Sequence, residues 1–135
     1  MPGFTPDEGE ATIANLVCRR FLTDRDADLE LGLFTNAAAG ETTTHAAITE
    51  PTGTGYARKN LTDANWTGAA DARAYAMQTF TGGAGGWTGS VYGYFIATKA
   101  AGGTKRVLWM EIDPTGPYTM AANDTYDVTP NVTFA

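Results

Sequence analysis

Cysteine, histidine and serine each occur once in the 135 residues, as Cys18, His45 and Ser90. A nucleophile, a base and an orienting group would have to be assembled from these single copies. Ser90 has no nucleophile elbow around it, because the local sequence is Thr88-Gly-Ser-Val-Tyr92 and not Gly-x-Ser-x-Gly. It reads as a small turn residue at a strand entrance. A structural zinc site needs three or four suitable ligands, which one Cys and one His do not supply. A lone cysteine also cannot form a disulfide within the chain. The expectations are no metal, no cofactor and no enzymatic activity. Long apolar runs are missing too. No stretch approaches the roughly 20 residues of a membrane-spanning helix. The opening Met1-Pro-Gly-Phe-Thr-Pro-Asp-Glu8 lacks the basic and apolar regions of a secretory signal. The expected chain is soluble, made in a cytoplasm, with no membrane partner. Basic residues are few: nine Lys and Arg stand against 15 Asp and Glu, for a net charge of −6. They cluster no more tightly than the pairs Arg19-Arg20, Arg58-Lys59 and Lys105-Arg106. A groove that neutralises phosphates needs a denser patch, so no nucleic-acid partner is expected.

Glycine, threonine and aromatic residues are plentiful by contrast. Residues 82–93 read Gly-Gly-Ala-Gly-Gly-Trp-Thr-Gly-Ser-Val-Tyr-Gly and run into Tyr94-Phe95-Ile96. A glycine-rich bend feeding an aromatic, β-branched run is a turn followed by a buried strand. Val91–Ala97 is apolar on both faces, which predicts a central position between two layers. Leu29–Phe34 alternates and reads as the first strand, and Val107–Ile112 and Thr125–Val128 read as later ones. His45–Thr49 reads as a short strand. Ala74–Phe80 alternates throughout and reads as one strand, and Pro130 demotes the residues after it to an edge. The chain before this body carries one helix signature, over about residues 6–22. Thr5 and Glu8 form a capping box, Pro6 stands at the first helical position, and Ile13, Leu16, Val17 and Phe21 share one face. Cys18 falls in that stripe and reads as core. The length suits one domain over residues 1–135: an arm and helix over 1–22, and a β-sandwich body over 29–135. Six to eight short strands with turns between them predict a mainly β, jelly-roll-like sandwich.

Few residues remain as candidates for chemistry. Asp24-Arg-Asp-Ala-Asp-Leu-Glu30 resembles the start of a calcium loop, but Leu29 stands where such loops need glycine and Thr35 where they need a bidentate acid. It reads as a solvated acidic joint. Glu111, beside Trp109, is the best single carboxylate for a glycosidase, which would need a second acid across a cleft. The glycines of the bend lack the Gly-Lys-Thr/Ser ending of a phosphate loop. Asn60, Asn65, Asn123 and Asn131 each begin a glycosylation-type triplet, of a kind that abundant threonine produces by chance. Trp66, Trp87 and Trp109 are core residues or interface anchors, and Trp87, within the bend, is the one expected to face a partner. Phe4 is an apolar plug just before the helix. The arm is expected to anchor the chain to a partner, its removal leaving the fold intact. Phe4, Trp66 and Trp87 are therefore the interface candidates.

Several landmarks resemble a group of small virion proteins of tailed bacteriophages. They are the capped N-terminal helix, Leu31-Gly-Leu-Phe-Thr-Asn36, Pro51-Thr-Gly-Thr-Gly-Tyr-Ala-Arg58, Asn65-Trp-Thr67, Tyr92-Gly-Tyr-Phe-Ile96, Leu108-Trp-Met-Glu111 and the closing Asn123-Asp-Thr-Tyr-Asp-Val-Thr-Pro-Asn-Val132. Similarity to capsid decoration, or cement, proteins implies a jelly-roll body on the outer capsid surface. Such a body binds the major capsid protein and itself, as a homotrimer or a dimer. A tail-associated or receptor-binding β-domain is the alternative reading, and a carboxylate-pair glycosidase the third.

Overall fold

The computed structural model describes residues 3–10, 28–68, 72–99 and 104–133. Eight strands run through them: β1 (Leu29–Phe34), β2 (Lys59–Leu61), β3 (Ala72–Ala74), β4 (Gln78–Thr81), β5 (Gly93–Thr98), β6 (Val107–Ile112), β7 (Thr125–Val128) and β8 (Asn131–Thr133). Every pairing is antiparallel, in one four-stranded sheet of order β2-β1-β5-β6 and two ribbons, β3-β8 and β4-β7. The body is thus mainly β, as the strand signals predict.

The four-stranded sheet is covered on both faces. Leu31, Leu33, Tyr94, Ile96 and Trp109 point into a large cluster shared with the two ribbons. Phe34, Phe95, Ala97, Val107 and Met110 point the other way, into a second cluster beneath the N-terminal arm and the 35–50 loop. The period-two alternation of β1 and β5 therefore serves two cores at once, which is why β5 reads as apolar on both sides. A bulge adjusts the register. Ile96 faces Trp109, but Ala97 faces Val107, so Leu108 is the extra residue. The bulge rotates Val107 onto the face of Met110 and fills the second cluster. Phe34, Phe95 and Met110 are each fully buried, and each contributes about 1.5–3 kcal/mol of apolar burial.

Two expectations differ in detail. His45–Ala47 is a 3-10 helix, not a strand. The side chain of Asn36 takes the place of a neighbouring strand there: its Nδ2 donates to the Ala47 carbonyl, and its Oδ1 accepts from the Thr49 amide at 2.8 Å. The alternating segment Ala74–Phe80 is two strands, because β3 pairs with β8 and β4 with β7. At the N-terminus, residues 7–10 are helical. The rest of the helix expected over 6–22, with Cys18 and most of the Asp24–Glu30 joint, lies outside the described residues.

The arm itself behaves as a short extra strand. Phe4 donates its amide to the Met110 carbonyl at 2.8 Å and accepts from the Met110 amide at 2.9 Å, on the outer edge of β6. Its ring packs on the second cluster. A Cβ on Gly3 would come within 2.3 Å of the Trp109 indole, so the arm lies flat against that ring.

Candidate functional site

Two groups of polar residues stand out. The first lies on the face of the sheet that the arm covers. Glu30, second in β1, is only 7% exposed. Its carboxylate accepts from Arg58 Nη1 and from Lys105 Nζ at 3.0 Å. Arg58 also donates Nε to Glu50 at 3.0 Å and lies over the Phe95 ring, 5.1 Å from its centroid. Arg58 Nη1 stands 3.0 Å from His45 Nε2, so the imidazole accepts there and carries its proton on Nδ1. Glu8, from the helical turn, accepts the Val107 amide at 2.9 Å and the His45 amide at 3.4 Å.

His45, Glu50 and Tyr56 are shifted by their surroundings. Burial and the Arg58 charge hold His45 below its ordinary value. Burial would raise Glu50, but the bonds from Arg58 and Tyr56 outweigh it and hold the carboxylate low. Burial, together with the bond to Glu50, pushes the Tyr56 hydroxyl far above its usual range. The Tyr56 hydroxyl lies 2.5 Å from Glu50 Oε2 and also accepts the Leu33 amide at 3.0 Å. The cluster ties β1, the 3-10 turn, the segment before β2 and the helical turn together. It contains the chain's single histidine, and every charge in it faces an opposite charge or a hydrogen-bond partner.

The second group is open. A groove of about 500 Å³ lies beside the 113–120 loop and β7, with Asp113, Tyr118, Asp124, Tyr126 and Asp127 in its wall. It continues into a smaller recess of about 180 Å³ that adds Tyr94 and Glu111. Asp113 anchors the loop. Its Oδ1 accepts the Thr115 amide at 2.9 Å, and its Oδ2 accepts the Tyr126 hydroxyl at 2.8 Å. Burial opposes ionisation of Asp113, but these bonds prevail and hold its carboxyl low. The Tyr94 hydroxyl donates to Glu111 Oε2 at 2.9 Å. Burial and the facing carboxylates push both Tyr94 and Tyr126 well above the usual phenol range. Tyr118 packs against Tyr126, ring centroids 5.5 Å apart, and stays 37% exposed.

The interface candidates fall elsewhere. Trp87, expected to face a partner, is 6% exposed and belongs to the large core cluster. The glycines around it explain the burial. Gly86 has φ +67°, and a Cβ there would sit 2.4 Å from the Met120 carbonyl oxygen. Only glycine lets the bend lie that close, with the Trp87 amide bonded to Met120 and its indole N–H donating to the Thr54 carbonyl at 3.3 Å. Trp66 is half-buried, edge-on to Tyr75 at 5.2 Å. Phe4 is held by its own β6. The three candidates are therefore not brought together in one patch. Glu111 does enter the groove, but Asp113, Tyr118 and Tyr126 were not singled out by sequence. Asp113-Pro114-Thr115-Gly116 has the composition of an Asx turn, and that was the available signal. Ser90 bonds through its hydroxyl to Thr119 at 3.3 Å, at a loop crossing. Asp28, from the acidic joint, accepts from Asn60 and from the Asp63 amide, which hold its carboxyl low.

Set against protein-family models, curated proteins and solved structures, the chain matches none of them.

Proposed function

We propose that the chain is a structural virion protein of a tailed bacteriophage, a decoration or cement protein that binds the outside of the capsid. Its partners are the major capsid protein and further copies of itself in a homotrimer, and the jelly-roll connectivity implied by the resemblance is part of this reading. The observation that carries it is the doubly covered central sheet. Loop and turn are tied to that sheet by Glu30, Arg58, Glu50 and Glu8, a cross-braced arrangement suited to stapling larger subunits. The landmarks of the resemblance also fall on this framework: Leu31–Phe34 is in β1, Tyr94–Ile96 in β5, and Leu108–Glu111 in β6. Purified chain mixed with capsids lacking it should co-sediment saturably and raise their melting temperature, and light scattering of the chain alone should give three protomers. Absence of saturable binding to the capsid would remove this reading. One observation favours the alternative of a tail-associated or receptor-binding domain, namely the partly exposed Tyr118 beside an open, carboxylate-lined groove. Localisation to the tail in the intact particle would support it.

A further inference from the structure

We propose that the groove between the 113–120 loop and β7 binds a neutral saccharide, with the Tyr118 ring as stacking platform and Asp124 and Asp127 as acceptors for sugar hydroxyls. This goes beyond attachment to a capsid and does not depend on it. Four features select the ligand class.

Tyr118 is one of two large apolar residues that are exposed among the described residues, the other being Met77. Its position is fixed by the Tyr126 ring and by a hydroxyl contact to Thr115. An aromatic ring held in place and still open to solvent offers a face for the C–H side of a pyranose at little entropic cost.

The carboxylates beside it are oriented and only half used. Asp127 Oδ1 accepts the Thr79 hydroxyl at 2.5 Å, and Asp124 Oδ2 accepts the Ala121 amide at 2.9 Å. The second oxygen of each accepts no hydrogen bond from the described residues. A carboxylate set by one bond presents its remaining lone pairs to an O–H donor.

Among the described residues, no Lys, Arg or His lines either part of the groove. A phosphate or carboxylate ligand would meet only negative charge there. Nor do three or more His, Cys, Asp or Glu side chains come together to hold a metal among the described residues. The ligand that fits both faces of the site is rich in hydroxyl donors, carries no negative charge and has an apolar face. The volume, about 500 Å³, lies within the range of small-molecule sites.

The test is an amide NMR titration of the full chain with the methyl glycosides of glucose, galactose, mannose, rhamnose and N-acetylglucosamine, and with maltohexaose. Titrating to about 20 mM detects dissociation constants near about 1 mM. Acetylarginine amide serves as the cationic comparison. At least one saccharide should shift the Thr119, Thr125 and Tyr126 amides saturably. Tyr118→Ala should weaken that binding about tenfold or more, on the scale of one aromatic contact, while Tyr118→Phe keeps it. Asp124→Asn, which leaves the Thr79–Asp127 bond alone, should weaken it as well. The proposal is overturned if no saccharide shifts these signals, if acetylarginine amide alone does, or if folded Tyr118→Ala binds as tightly as the parent.

Discussion

His45, the one histidine, is surrounded by groups that oppose its protonation on balance. Arg58 points an N–H at Nε2, and Lys105 adds a second positive charge, against Glu30 and Glu8 on the other side. Charging the ring would set one N–H donor against another. Burial of the ring, the larger cause, together with the Arg58 charge holds the folded-state pKa below the unfolded value of about 6.5. A group depressed in this direction binds more protons when unfolded, so stability is full above about pH 6.5 and declines as pH falls toward the folded pKa. Glu50, Asp28 and Asp113 are also depressed, but their contribution is lost only below the unfolded carboxylate range, near about pH 4. Urea midpoints at pH 7.5 and 5.5 isolate the histidine, with both values chosen to bracket about 6.5. The parent chain should be less stable at the lower pH. His45→Gln, whose side-chain oxygen accepts from Arg58 without taking a proton, should show little difference between the two. A parent midpoint that rises on acidification would refute this account of the ring.

The central sheet makes its strongest demand at Gly93. A Cβ there would lie 2.0 Å from the Glu111 carbonyl oxygen, a backbone atom of the neighbouring strand. Gly93→Ala must push β5 away from β6, and we expect a loss of about 3 kcal/mol or more, the upper range of overpacking in a core. Gly40→Ala is the control, since nothing lies within 4 Å of a Cβ there; it should shift the urea midpoint little. Equal midpoints for the two variants would contradict the close approach. Strands of this sheet were legible in the sequence, because β1, β5 and β6 have side chains that alternate between two cores or are apolar throughout. Elements specified by distant partners were not. The break between β3 and β4 is set where the Tyr75 amide donates to Pro130 and its hydroxyl accepts from the Thr62 amide. An alternating pattern reads the same in one strand as in a chain crossing between two ribbons. The turn at His45 was illegible for a similar reason, since Asn36, nine residues earlier, satisfies its backbone. Much of the groove was hidden too. Glu111 was visible as a strand carboxylate beside an aromatic, whereas Tyr118, Asp124 and Tyr126 meet only through β7 and its preceding loop.

At the scale of the molecule, the N-terminal arm closes the second core. In the sequence Phe4 reads as a plug for a partner, because five residues rich in Pro and Gly have no means of ordering themselves. The β6 edge supplies a partner for Phe4. Two backbone hydrogen bonds join Phe4 to Met110, each worth about 1 kcal/mol net. The half-buried Phe4 ring adds about 1 kcal/mol of apolar burial on the cluster of Phe34, Phe95 and Met110. The arm also covers an edge that would otherwise present open N–H and C=O groups to another chain. Removing residues 1–5 should therefore destabilise the fold by about 2–3 kcal/mol, lowering Tm by about 5–15 °C for a domain of this size. The truncated chain should also associate through the exposed β6 edge, visible as higher-order species in light scattering. Phe4→Ala, which retains the backbone pairing, should show only the smaller apolar part of the loss and keep the parent's state of association. A truncated chain that melts within about 1 °C of the parent and loses only capsid binding would restore the arm to the role of an anchor for a partner.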